Sequence, residues 1–196
     1  MLFRSSGSIS QGNATRDLFQ EYLRSTKELL STEPPNSRVW VSGIAVDSFG
    51  GAQVLVKGWT PDVHGIFTND LNQARRQLAI GFEAKSASLA ATAQGTDIFG
   101  GLWRFKAMFE SAAKSRSAQH PKTIWIFSDM MNETQEFRMP ELLEIGAERM
   151  LVRAKASGLV IPLSGYKIYV YGASPAGLTP HSWATIKRFW EMYFAA

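Results

Sequence analysis

Three short polar segments carry the side chains whose types and spacing could do chemistry. They read RSSGS at residues 4–8, GTD at residues 95–97 and SDMMNE at residues 128–133. Serine and threonine hydroxyls and aspartate carboxylates are the hard oxygen ligands that a divalent cation such as Mg²⁺ prefers. If the fold brings these segments together, they predict a site for such a cation.

The chain offers few other reactive groups. It has no cysteine, which excludes disulfides, thiolate zinc sites and cysteine nucleophiles. His64, His120 and His181 lie far apart and lack ligand-like spacing, so neither a histidine metal site nor a Ser-His-Asp triad is indicated. The segment YGASPAG at residues 171–177 lacks dinucleotide-binding or P-loop spacing and is interpreted as a loop.

Strands and helices alternate along the chain and must position these segments. Apolar runs predict strands in RVWVSGIAVDSF, QVLVKGWT, KTIWIFSDMM and YKIYVYGA, after a short opening strand. Apolar residues at helical spacing predict helices near residues 13–31, 68–93, 98–111, 140–156 and 180–194. Gly50 and Gly51 predict a hairpin between the second and third strands, which gives one antiparallel edge.

This alternation predicts an α/β fold in one domain spanning residues 1–196, with a first strand that is cut short. The predicted architecture is a three-layer α/β/α sandwich with a Rossmann-like, mostly parallel central sheet. The run KTIWIF has the continuous apolar character of a strand buried on both faces. Functional groups gather at the carboxyl ends of strands in open sheets, so the three polar segments should share one crevice.

In this order the three segments resemble the signature of von Willebrand factor type A domains, which carry a metal-ion-dependent adhesion site. That signature is Asp-x-Ser-x-Ser, then a distant threonine, then an aspartate at the end of the fourth strand. Ser6 and Ser8 match the two serines, Thr96 matches the threonine, and Asp129 matches the final aspartate. The resemblance implies that these four residues bind Mg²⁺ or Mn²⁺, and that an acidic side chain of a partner protein completes the coordination.

One residue departs from the signature, because Arg4 stands where the family has its first aspartate. A positive charge about 5 Å from a divalent cation is repulsive by several kcal/mol at an effective dielectric near 20. Three alternatives stay open: Arg4 points to solvent and a weakened site survives, its guanidinium pairs with Asp129 or Asp97 in place of metal, or the sequence was altered there. Arg4, Asp97 and Ser128 are therefore expected to support the site or to contact the partner.

The sequence thus predicts a non-catalytic, protein-binding domain of the von Willebrand A type, in which Arg4 could meet the partner's acidic group. A metal-dependent hydrolase or phosphoryl-transfer enzyme in the same crevice is the first alternative, and a structural module of a larger assembly is the second. The formal charge of +4 is spread along the chain without a basic run, so nucleic acid is not expected as a partner. Neither a membrane span nor a signal peptide is evident, which points weakly to the cytoplasm.

Overall fold

A computed structural model describes the chain over residues 2–4, 13–45, 47–51, 53–62, 68–87, 95–113, 121–173 and 178–196. For residues 2–4 and 13–17 the backbone alone is described. Among the helices in these ranges, none combines the length and the apolar character that crossing a membrane requires.

Five strands and six α-helices make up the described fold. The strands are β1 (Leu2–Arg4), β2 (Arg38–Ile44), β3 (Val54–Trp59), β4 (Lys122–Phe127) and β5 (Tyr166–Tyr171). The helices are α1 (Asn13–Thr32), α2 (Thr68–Ser86), α3 (Ile98–Ala113), α4 (Met139–Leu142), α5 (Ala147–Ala156) and α6 (Pro180–Phe194). The predicted strands are present, and so are the predicted helices except the one expected over residues 140–156, which is divided. The described part of the helix predicted over residues 68–93 ends at Ser86, and residues 88–93 lie outside the described ranges.

Strand pairing is extensive in only two places. β2 pairs with β3 in antiparallel register from Arg38 opposite Trp59, with an irregularity at Val41 and Ser42. β4 pairs with β5 in parallel register along its full length, from Lys122 opposite Tyr166. Between these units lies β1, which pairs in parallel over three residues of β2 and two residues of β4 and gives the order β3-β2-β1-β4-β5.

The prediction of a three-layer sandwich with a Rossmann-like, mostly parallel central sheet is therefore wrong. Full-length pairing is confined to one antiparallel and one parallel two-stranded unit, and about 53% of the described residues are helical. The physical reason lies in β1, the strand that would have to form the parallel core. Its described part is three residues long, so it pairs with only three residues of β2 and two residues of β4.

Two main hydrophobic clusters hold the helices on the strands. The smaller cluster joins α1 and α2 to the β2–β3 unit, with Leu30, Val41 and Phe82 at its centre. The larger cluster joins α3, α5 and α6 to β4, and it includes Ile126 and Trp190. The aromatic residues spaced along α6 are thus largely core, because Trp190 and Tyr193 are almost fully buried.

The helix predicted from Pro140 to about residue 156 is broken into two. α4 covers only the first turn, a short 3-10 turn spans Leu143–Ile145, and α5 starts at Ala147. Gly146 separates them with a φ of 83°, a left-handed conformation that a helix interior cannot contain. The break is a consequence of one glycine inside an otherwise helical apolar pattern.

A long-range contact ties α1 to the end of β5. The Tyr22 hydroxyl donates a hydrogen bond of 3.2 Å to the carbonyl oxygen of Gly172, 150 residues away in sequence. Gly172 has a φ of 86°, and a Cβ atom there would lie 1.8 Å from the Tyr22 hydroxyl oxygen. Only glycine satisfies both the backbone conformation and the close approach of the buried tyrosine.

Candidate functional site

Backbone contacts bring the predicted polar segments to one edge of the strands. Arg4, at the carboxyl end of β1, lies opposite Ile44 at the end of β2. The Asp97 N–H donates a 2.9 Å hydrogen bond to the Ala45 carbonyl oxygen just beyond β2. Glu133, in the loop after β4, donates from its N–H to the Thr96 carbonyl oxygen at 2.8 Å. The segments around residues 4, 96 and 129 therefore share one region, while Ser6 and Ser8 lie outside the described residues.

Thr96 has the most unusual environment of the predicted ligands. Its side chain is fully buried, and its hydroxyl oxygen has no hydrogen-bond partner in the described structure. A buried hydroxyl without a partner costs about 1–3 kcal/mol, so such groups in folded proteins call for an explanation such as a bound ion or water. Thr96 is thus a fully buried polar residue whose hydroxyl has no partner among the described residues.

Asp97, in contrast, is fully used by the fold. One carboxylate oxygen accepts the Gly100 N–H at 2.8 Å, which makes Asp97 the N-cap of α3, and the other accepts the Ser48 N–H at 2.9 Å. A Cβ atom on Gly100 would lie 2.0 Å from the Asp97 carboxylate, so glycine is required beside it. Asp97 therefore fixes the start of α3 to the β2–β3 connection.

The electrostatics of Asp97 follow from this burial. Removal from water raises the pKa of its carboxyl group above the usual range, and the nearby Asp47 raises it further. The backbone N–H groups of Gly100, Ser48 and Phe49 oppose the shift because they stabilise the charged form. Both carboxylate oxygens of Asp97 therefore accept backbone N–H groups of the fold, and its expected role beside a cation or a partner stays a prediction.

The loop after β4 holds Ser128 and Asp129 by short local hydrogen bonds. The Ser128 hydroxyl accepts the Met130 N–H, and one Asp129 carboxylate oxygen accepts the Met131 N–H, each at 3.0 Å. Met130 has a φ of 65°, and its carbonyl oxygen accepts the buried Trp190 indole N–H at 2.8 Å. Ser128 is buried, whereas the acidic residues of this loop, Asp129 and Glu133, are both half-exposed.

Asn132 connects this loop to α3 and was not predicted. Its fully buried side chain accepts the Ile98 N–H at 2.8 Å and donates to the Phe137 carbonyl oxygen at 2.9 Å. The backbone carbonyl oxygen of Asn132 accepts the Met139 N–H at 2.9 Å. Asparagine can donate and accept at once, which is what this position demands, but its sequence context of SDMMNE gives no signal of that role.

An exposed aromatic pair beside this region was also missed. The rings of Phe49 and Trp103 pack edge to face with centroids 5.0 Å apart, yet the two residues are 57% and 46% exposed. Phe49 directly follows Ser48, whose N–H is bound by Asp97, and Trp103 lies in the second turn of α3. The only sequence signal is a phenylalanine in the glycine-rich turn DSFGG, where a buried apolar residue is not expected.

The donor set available to a cation is small within the described structure. No group of three or more histidine, aspartate or glutamate side chains there could hold a metal ion. The unpartnered Thr96 hydroxyl and the Asp129 carboxylate are oxygen donors of the type that suits Mg²⁺ or Mn²⁺. A cation at this edge would need further ligands from residues such as Ser6 and Ser8.

Comparison with models of known families, with curated proteins and with solved structures finds no match to this chain.

Proposed function

We propose that the chain is a non-catalytic protein-binding domain whose partner docks at the edge that carries Asp129 and the exposed Phe49–Trp103 pair. The observation that supports this most directly is the exposed pair of Phe49 and Trp103, since Phe49 is held by Asp97, the residue that follows the buried and unpartnered Thr96. Protein interfaces combine aromatic anchors of this kind with a few polar contacts. Two large exposed rings packed on each other offer a partner apolar area at little cost in side-chain entropy.

The partner group proposed for the polar part of the site is an acidic side chain. Arg4 ends β1 at this same edge and brings a positive charge where the resembling family has an aspartate. An arginine can bind a carboxylate by two parallel hydrogen bonds, which gives directional recognition without a metal. In this proposal Arg4 takes the place of the cation that captures the partner's carboxylate in the adhesion-site family.

A divalent cation is the second candidate for the same position, and the orphan hydroxyl of Thr96 favours it. Thr96 and Asp129, with Ser6 and Ser8, would hold Mg²⁺ or Mn²⁺, and the ion would provide an attachment point for a carboxylate. The charge of Arg4 opposes this arrangement by several kcal/mol if it lies about 5 Å away. A bound metal ion and the Arg4 guanidinium are therefore alternative groups that would bind the partner's carboxylate.

Thermal melting separates these two solutions. The parent chain and Arg4→Asp are melted with millimolar Mg²⁺ or Mn²⁺ and with a chelator, and Arg76→Asp, an exposed arginine on α2, is the matched control. We expect metal to stabilise only Arg4→Asp, because a ligand that binds the native state raises its stability. Stabilisation of the parent chain would favour the cation, and an unresponsive Arg4→Asp would remove the metal from the proposal.

Peptide selection tests the protein-binding function itself. Peptides selected from a random display library on the parent chain should combine an acidic residue with a neighbouring apolar residue. Phe49→Ser and Trp103→Ser should lose the apolar part of that preference, and Arg4→Asp should lose the acidic part. Peptides that bind all three variants as they bind the parent would contradict the proposal. Turnover of generic phosphoesters with Mg²⁺ would instead favour an enzyme, which needs a base near Asp129.

A further inference from the structure

A second surface, on the β2–β3 unit, has a composition that the protein-binding site does not explain. Strand pairing places Arg38 opposite Trp59 and Trp40 opposite Lys57. Because alternate residues of a strand share a face, these four side chains form a compact two-by-two array. They line a cavity of about 510 Å³.

The opposite face of the same strand is occupied, which fixes the direction of the array. A Cβ atom on Gly58 would lie 2.6 Å from the Leu78 side chain of α2, so β3 turns that face towards the helix. Lys57 and Trp59, its two neighbours, are exposed on the other side. Gly58 thus lets α2 pack closely on one face, while Lys57 and Trp59 are exposed on the other.

Both tryptophans offer aromatic surface, but in different ways. Trp59 is 67% exposed, which is unusual for the largest apolar side chain on a strand. Trp40 is half-buried and is supported from behind by Phe109, whose ring centroid lies 5.9 Å away in an edge-to-face contact. The array therefore has one open ring and one ring held rigidly by the core.

The charge of the cavity is entirely positive among the described residues that line it, since Arg38 and Lys57 are present and no acidic residue is. Lys57 is exposed and forms no ion pair with any described residue. Arg38 also donates to the Ala112 carbonyl oxygen at 3.3 Å, which holds it beside the end of α3. The array combines two cations and two aromatic rings.

We propose that this array binds single-stranded nucleic acid, with a base stacked on Trp59 and backbone phosphates next to Lys57 and Arg38. Aromatic rings beside a positively charged groove are the general features by which proteins bind unpaired strands. A single strand fits better than a duplex because only unpaired bases can stack on a side chain. It fits better than an acidic peptide because a base uses the exposed ring as well as the charges. The scattered overall charge gave no sign of such a partner, and only the pairing of β2 with β3 brings Arg38 and Lys57 together beside the rings.

Fluorescence anisotropy with a labelled single-stranded oligonucleotide of about ten nucleotides tests this proposal. The parent chain should bind it at about 50 mM salt and bind a duplex of equal length more weakly. Trp59→Ala should weaken binding about tenfold, as expected when one stacked base is lost. Lys57→Gln should reduce the slope of log K against log salt by about 0.7, the value for one lost phosphate contact on a single strand.

Two matched variants control for charge and for aromatic content. Tyr169→Ala removes an exposed aromatic ring on β5, and Lys27→Gln removes an exposed lysine that pairs with Glu83. Both variants should bind the oligonucleotide as the parent does. Circular-dichroism melts confirm that each variant folds. The proposal is overturned if the oligonucleotide does not bind, if Trp59→Ala binds as tightly as the parent, or if free nucleotide or polyglutamate displaces the strand at equal charge concentration.

Discussion

Replacing Thr96 by valine should stabilise the ligand-free chain, which is the reverse of the usual effect of a core mutation. Valine keeps the branched shape of threonine but has no hydroxyl. At Thr96 that hydroxyl is fully buried and unpartnered, so the folded chain now carries a desolvation cost of about 1–3 kcal/mol. Removing the hydroxyl removes this cost without opening a cavity.

The expected size of the effect is measurable. A gain of about 1 kcal/mol in the free energy of unfolding corresponds to a rise of about 2–4 °C in Tm for a chain of this length. Thr60→Val is the matched control, because the buried Thr60 hydroxyl donates to the Pro34 carbonyl oxygen at 2.6 Å and accepts the Ser37 N–H at 2.8 Å. The same substitution there should cost about 1–3 kcal/mol, since it leaves two partners unsatisfied.

The functional cost distinguishes Thr96 from a simple packing defect. Thr26 on α1 is also fully buried with an unpartnered hydroxyl, so Thr26→Val should stabilise the chain by a similar amount. Only Thr96→Val should abolish metal stabilisation of the Arg4→Asp variant. Chemical denaturation of all the variants measures these changes in the free energy of unfolding. The expected stabilisation is refuted if Thr96→Val lowers the free energy of unfolding by as much as Thr60→Val.

Three further predictions concern the supports of the site. Gly172→Ala should cost about 2–4 kcal/mol in urea unfolding, because its Cβ atom would strike buried Tyr22 and its φ of 86° disfavours any side chain; a loss below about 1 kcal/mol would contradict the contact. Burial raises the pKa of Asp97, so the folded chain holds that proton more tightly than the unfolded chain. The free energy of unfolding should therefore fall as pH rises above about 4, through the folded pKa, and Asp97→Asn should flatten this slope in urea titrations against pH. Trp190→Phe should lower Tm by a few degrees, because it leaves the Met130 carbonyl oxygen without its indole donor; an unchanged Tm would show that water replaces the donor.

The helices and strands were predictable because their apolar periodicity is strong. β4, for example, is an almost continuous apolar run after Lys122 and Thr123, and it pairs with β5 along its full length. The central sheet was not predictable in the same way, because its existence depends on the length of β1. A three-residue strand contributes too few hydrogen bonds to make two paired units into one extended parallel core. The break at Gly146 was missed since periodicity does not report a backbone φ.

The site was predictable as a meeting of segments, and the roles of its residues were not. The rule that polar groups gather at strand ends predicts Thr96 and Asp129 at one edge. The described backbone contact there joins Thr96 to Glu133, and the ligand roles of Thr96 and Asp129 stay predictions. It could not tell that Asp97 is the N-cap of α3, or that Asn132 links two segments, because these roles depend on the positions of particular N–H groups. The array of Arg38, Trp40, Lys57 and Trp59 was hidden because cross-strand neighbours are far apart in sequence.

The contact between Tyr22 and Gly172 also has a consequence for synthesis on the ribosome. The two residues are separated by 150 positions, so the amino-terminal helix cannot complete its packing until the end of β5 has emerged. At about 5–20 residues per second, that interval is on the order of ten to thirty seconds. During this time the apolar stripe of α1 lacks one of its native neighbours, and a nascent chain stalled before residue 172 should expose that stripe to chaperones.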